Sequence, residues 1–208
     1  MNWFPNYTCM ACGCEIQTST NQYLCSKCMD NLPVITEKQV GHFSPFVYEE
    51  PIRTMILKLK YADNGFIAKA LAPYLAAIYI KQIQPIFNQS PIIIPVPLHR
   101  SRQRERGYNQ STILAHELAT YLNLPVKTDV LIRTRKTIIQ KRMDAVTRAK
   151  NLHGAFAINP ARKEQIQDQN ILLIDDVYTT GATTYECATT LRINGARNVV
   201  ILTIASVI

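Results

Sequence analysis

The chain has 208 residues, 47% hydrophobic and 18% charged, which allows a packed core and excludes wholesale disorder. Its net charge of +8 is concentrated in residues 99–150, which hold twelve Lys/Arg against four acids, while the remainder balances. That asymmetry points to a polyanionic partner. No apolar run approaches the ~20 residues of a spanning helix, and Met1–Pro5 lacks the regions of a secretory signal, so a cytoplasmic placement is expected.

Cys9, Cys12, Cys25 and Cys28 form two C-x2-C pairs. Each pair can turn as a knuckle and present both sulfurs to one tetrahedral Zn²⁺. Disulfides are the alternative, disfavoured where thiols stay reduced. Cys14 is a spare near the first knuckle, able to compete as a ligand, and Cys187 falls in a helical pattern as a small core residue. Residues 1–36 are too few for a hydrophobic core, so metal would supply the folding energy.

After a linker broken by Pro33, Phe43–Tyr48 reads as a short strand. Ile52, Met55, Ile56 and Leu59 then recur at helical spacing, as do Ile67, Leu71, Leu75 and Ile78. These two helices read as core, and nothing local requires Lys58–Tyr61 to reach a ligand. Pro91–Val96 is an apolar strand followed by Pro97-Leu98-His99-Arg100. Arg100, Arg102, Arg104 and Arg106 alternate with mostly polar residues; on an extended loop all four guanidiniums would share one side, suited to phosphate oxygens. A helix follows Gly107-Tyr108-Asn109-Gln110, with Leu114, Leu118, Tyr121 and Leu122 as its apolar stripe.

Pro125–Ile132 reads as a strand, and a basic stretch with Lys136, Lys141 and Arg142 leads to a short strand at Ala155–Ile158. Ile171–Ile174 is a buried strand, Asp175 and Asp176 sit at its end, where both are expected to face solvent, and Thr179-Thr180-Gly181-Ala182-Thr183 turns into a helix closed by Asn194-Gly195. Asn198–Ser206 supplies a last buried strand. A turn rich in N–H and hydroxyl donors at a helix start cradles phosphate. Carboxylates beside it accept sugar hydroxyls or hold hydrated Mg²⁺. Together they describe a ribose-5-phosphate pocket, located where open α/β sheets bind ligands.

The apolar run, acid pair and Thr-Thr-Gly-x-Thr resemble the phosphoribosyl pyrophosphate (PRPP) fingerprint of type I phosphoribosyltransferases. Tyr178 stands where an aliphatic residue is usual. Pro95-Val96-Pro97 resembles the pyrophosphate loop of the glutamine-dependent PRPP amidotransferases, and the stretch around Arg142 resembles the lid that closes over PRPP. The resemblance implies a mostly parallel central sheet flanked by helices over residues 37–208, following a small zinc-binding module. It assigns Asp175 and Asp176 to ribose and, indirectly, Mg²⁺. Thr179, Thr180, Gly181, Ala182 and Thr183 would grip the 5′-phosphate, and Pro97, Leu98, His99, Arg100, Arg102, Arg104 and Arg142 the pyrophosphate.

With the four cysteines, Arg106-Gly107-Tyr108-Asn109-Gln110 and Gly154-Ala155-Phe156, the whole chain resembles the ComF/ComFC family. That family is associated with natural competence and the handling of imported single-stranded DNA at the cytoplasmic side of the membrane. Three functions follow as expectations. One is PRPP binding coupled to single-stranded DNA contacts through Arg104, Arg106, Tyr108, Lys136 and Lys141, with Tyr108 stacking a base. Another is Mg²⁺-dependent phosphoribosyl transfer to an acceptor the sequence does not name. The third is a PRPP-regulated module whose cysteine ribbon docks a helicase-like partner.

Overall fold

The computed structural model describes residues 8–16, 23–37, 39–61, 65–135 and 151–207. Arg142, Lys136 and Lys141, with most of the expected lid, lie outside them. The sheet is parallel. β1 (His42–Phe43), β7 (Asn198–Ser206), β6 (Asn170–Tyr178) and β3 (Ile92–Pro95) are neighbours in that order, and β2 (Phe46–Val47) extends along β7 beyond β1. Asp175 lies opposite Thr203 in the register.

Period-two alternation divides the core between the sheet's two faces. Leu172, Ile174, Val200 and Leu202 face one layer, with Met55 and Leu59 of α2 (Ile52–Tyr61), Leu71 and Leu75 of α3 (Gly65–Ile78), and Leu114 and Leu118 of α5 (Gln110–Leu122). Ile171, Leu173, Val199 and Ile201 face the other, against Cys187, Ala188 and Leu191 of α6 (Ala182–Ile193). A small antiparallel pair, β4 (Leu131–Arg133) and β5 (Phe156–Ile158), adds Leu131 and Phe156 to that second layer.

Several expectations are corrected. The alternating arginines form not an extended loop but a helix, α4 (Arg100–Arg106). His99 caps it, its Nδ1 accepting from the Ser101 N–H at 3.2 Å, and Gly107 at φ 81° closes it. Arginine is a good helix former, and a helical period separates neighbours i and i+2 onto different faces. The four guanidiniums therefore do not share one side. The strand expected over Pro125–Ile132 is confined to Leu131–Arg133, with only a bridge from Val126 to Ile93 before it. Tyr121, assigned to an apolar stripe, is exposed.

α3 continues through a π-helical turn, Tyr79–Ile83, and a 3₁₀ turn, Gln84–Ile86. The resulting 22-residue stretch is long enough to cross a bilayer and holds an 18-residue window of mean hydropathy 1.2, although half of that window is buried within the protein. The sequence conceals this because Lys69 and Lys81 interrupt the apolar run.

The cysteine segment is not a separate core. Cys9, Ala11, Leu24 and Cys28 belong to the same buried cluster as α2 and α3. Lys58 of α2 ties it down, its Nζ donating to the carbonyls of Met10 at 2.9 Å and Ala11 at 3.0 Å.

Candidate functional site

β6 runs through the acid pair to Tyr178 instead of stopping before it. Successive side chains on a strand point to opposite faces, so the two acids meet different surroundings. Asp176 is buried at 6% exposure. Its Oδ2 receives the Lys60 ammonium at 2.9 Å and the Gln110 amide at 3.1 Å. The expectation that both acids face solvent fails for Asp176, because α2 and α5 cover it.

Asp175 is half-buried. Its Oδ1 accepts from Ser111 Oγ at 3.0 Å and from the backbone N–H of Asp176 at 2.9 Å. Oδ2 has no hydrogen-bond partner among the described residues. Burial, and then the neighbouring Asp176 charge, pushes its pKa up to about 7, against the pull of Ser111 and Lys60. Asp175 is thus the acid able to exchange a proton for a ligand or cation near neutrality.

Past Tyr178, residues Thr179–Thr184 curl around a small hollow of about 40 Å³ that Asp175 also borders. Gly181 (φ 71°) starts α6, and Thr184 Oγ1 donates to its carbonyl at 3.0 Å. The free N–H groups of a helix start, together with threonine hydroxyls, suit an anion. Tyr178 departs from the aliphatic pattern with a structural consequence. Its ring stacks on His42 with centroids 3.6 Å apart and planes 2° from parallel, and its hydroxyl fills the space a Cβ on Gly181 would need.

Beyond β3, Pro97, Leu98, His99, Arg100, Gln103, Thr128, Leu131, Ile132, Arg133 and Thr134 line a cavity of about 420 Å³. The cavity joins the expected pyrophosphate loop to the end of β4. Arg133, the first residue of the expected basic stretch but not named as a site residue, feels the charge of Asp175 and lies 5.3 Å from the Phe156 ring centre. Burial, and then Arg102, holds its pKa below the ordinary arginine value. Arg100 and Arg104 are exposed and Arg102 half-buried. Arg106 turns inward, Nη1 donating to Gln110 Oε1 at 3.1 Å and the guanidinium lying 5.1 Å from the Tyr61 ring centre. Tyr108 is tethered too, its hydroxyl donating to Leu59 O at 2.7 Å. Lys60, Gln110 and Ser111 were likewise not read as site residues. Only the Asn-Gln-Ser sequence at the start of α5, where Asn109 caps the helix through Ser111 N–H at 3.0 Å, hinted at a fixed polar cluster.

The sulfurs of Cys9, Cys12, Cys14 and Cys25 all lie within 4.8 Å of one another. Cys28, in the middle of α1 (Ser26–Asp30), adjoins Cys9, Cys12 and Cys25. Four of these sulfurs can bind a metal ion. Tetrahedral bonds of about 2.3 Å to Zn²⁺ put sulfurs roughly 3.8 Å apart, and Cys12 and Cys25 stand at 3.8 Å. The Cys14 backbone N–H brings the Cys12 thiol down to about 6, toward the thiolate a metal requires. Cys14, the expected spare, thus joins the expected quartet as a fifth thiol. Cys187 is buried, as expected of a core residue.

No protein-family model matches the chain. It is 31% identical over 194 residues to Competence protein F of Haemophilus influenzae, covering 92% of this chain and 81% of that one. It is 32% identical over 197 residues to DNA utilization protein YhgH of Escherichia coli O157:H7, covering 92% and 80%. Among solved structures, a glutamine PRPP amidotransferase from B. subtilis complexed with ADP and GMP aligns with TM-score 0.44 and 17% identity, over 70% of this chain and 30% of that one.

Proposed function

We propose, since the chain belongs to the ComF family of competence proteins, that it binds PRPP with Mg²⁺ at the end of β6 and handles imported single-stranded DNA in the cytoplasm. The reading divides the chain into a zinc-holding module, residues 1–36, and a type I phosphoribosyltransferase-like domain, residues 37–208. The observation that carries it is the position of Asp175. One of its oxygens is open, it borders a threonine-rich hollow at the start of α6, and it is coupled to Arg133 of the basic cavity. The 5′-phosphate would sit on Thr179–Thr183, and Asp175 would accept the ribose hydroxyls or the water shell of Mg²⁺. Pyrophosphate would lie toward Pro97–Arg100. Asp176 serves as a positioning residue, because Lys60 and Gln110 already occupy one of its oxygens.

The names of the relatives, competence protein and DNA utilization protein, support the DNA half of the reading. Of the arginines expected to touch DNA, Arg104 is free to do so, while Arg106 and Tyr108 are committed to Gln110 and Leu59. Binding of polydeoxythymidine that weakens steeply with salt is the expected result. No affinity even at low salt overturns that half while leaving PRPP binding to be tested alone.

A second reading, phosphoribosyl transfer, draws on the 420 Å³ cavity, which offers an acceptor a place beside the expected pyrophosphate. Arginines there would stabilise the departing pyrophosphate while Asp175 favours positive charge on the sugar. Pyrophosphate release in a screen of bases and amines, above the rate of simple hydrolysis, is its test.

A further inference from the structure

A second cavity, about 820 Å³, opens at the other end of the sheet. Its floor is the edge of the sheet, with Phe43 and Val200 from one face and Val199 from the other; Val40, Pro85 and Ile86 are its apolar walls, and Lys81, Arg192 and Glu37 its charged surround. Val200 precedes Thr203, the partner of Asp175, by three residues in the register, about 10 Å of strand. None of the Asp175 loop residues lines it. Its size lies within the roughly 300–1,000 Å³ of small-molecule sites, which are mostly apolar with a few polar groups.

Its walls are built rather than incidental. Lys81 and Gln82 stand on the π-helical turn, Pro85 and Ile86 on the 3₁₀ turn that follows. Such π turns re-aim side chains and concentrate at functional positions. Tyr79 and Ile83, both buried, anchor the turn from behind. The opposite wall is fixed by Gln39, whose amide donates to Ser44 O and accepts from Ser44 N–H, each at 2.7 Å. Arg192 donates to Val199 O at 2.9 Å, which holds its guanidinium over the floor. At the mouth, Val40 is 84% and Ile86 50% exposed, leaving apolar surface for a ligand to cover. Two cations face one carboxylate, and Lys81 has no ion pair among the described residues.

We propose that this cavity binds an amphipathic organic anion, with an aryl or acyl body on Phe43, Val199 and Val200 and its carboxylate or sulfonate between Lys81 and Arg192. The site is independent of the PRPP reading, since it shares no residue with that pocket.

Anilinonaphthalene sulfonate, an aromatic body carrying one anion, is a suitable probe for the full, metal-loaded chain. A fluorescence titration should saturate at one probe per chain, and neutral dansylamide should bind more weakly. Lys81→Glu and Val40→Asp both change exposed residues, so folding should persist, which a thermal melt checks. Each should weaken the probe by about tenfold. Unchanged affinity in both variants, or several equivalent sites in the parent chain, overturns the proposal.

Discussion

The ammonium of Lys60 lies 2.9 Å from Asp176 Oδ2, which also accepts the amide of Gln110. With 20% and 8% of their side chains exposed, both charges are largely withdrawn from water. Removing one partner of such a pair strands the other and costs about 3–5 kcal/mol. Lys60→Met keeps the apolar stem and should lose stability at the lower end of that range in chemical denaturation. Adding Asp176→Asn, which neutralises the stranded acid, should restore part of the loss; a further fall would mean the pair contributes nothing.

Asp175 holds its proton in the fold to about pH 7, whereas an unfolded aspartate releases it near 4. Between those values the folded chain binds more protons than the unfolded one, so the ligand-free protein should lose stability as pH rises through that window. Ligand binding should run the other way, because the ionised carboxylate accepts hydroxyls and cation-bound water. Affinity for Mg²⁺–PRPP should climb by up to about tenfold per pH unit and level off above 7. Asp175→Asn should flatten the stability trend, measured by denaturation across the window.

Metal analysis should find about one Zn²⁺ per chain, the tetrahedral sulfur site accepting a single ion. Cys9→Ser should lose it, while Cys14→Ser should keep it, with buried Cys28 completing the quartet. Loss of metal from Cys14→Ser would instead make Cys14 the fourth ligand. Stripping the metal should also loosen the first knuckle, where the Cys9 N–H donates to Cys14 O at 2.8 Å and the Met10 N–H to Tyr23 O at 2.9 Å, seen as faster exchange of those two amides.

Gly181→Ala meets two obstacles. Its φ of 71° disfavours a side chain by about 1 kcal/mol, and the new methyl collides with the Tyr178 hydroxyl. The variant should bind PRPP more weakly. Tyr178→Leu, the usual kind of residue there, should recover part of that loss when combined with it; purely additive effects in isothermal titration would separate the ring from the loop.

Local features were legible and remote ones were not. The bounds Asn198–Ser206 follow from a nearly continuous apolar run, and the apolar faces of α2 and α3 from helical period, signals that neighbouring residues determine. The arginine run was misread because alternation suits a strand, while the helix depends on His99 and Gly107 as caps. Lys60 was placed among core helices because its partner, Asp176, lies far along the chain and is met only through packing of α2 and α5 on β6. The same distance effect made Asp176 look solvent-facing, so a test that neutralises both acids together would confuse folding with binding.

Isothermal titration of Mg²⁺–PRPP into the parent chain and into Asp175→Asn tests the central claim most directly. Asp175 is the less buried acid and the one that borders the threonine hollow, and its charge is one that burial disfavours, so the variant should fold at least as well as the parent. Saturable Mg²⁺-dependent binding to the parent, lost in the variant with an unchanged melt, is the predicted result. Undiminished binding in Asp175→Asn would contradict it.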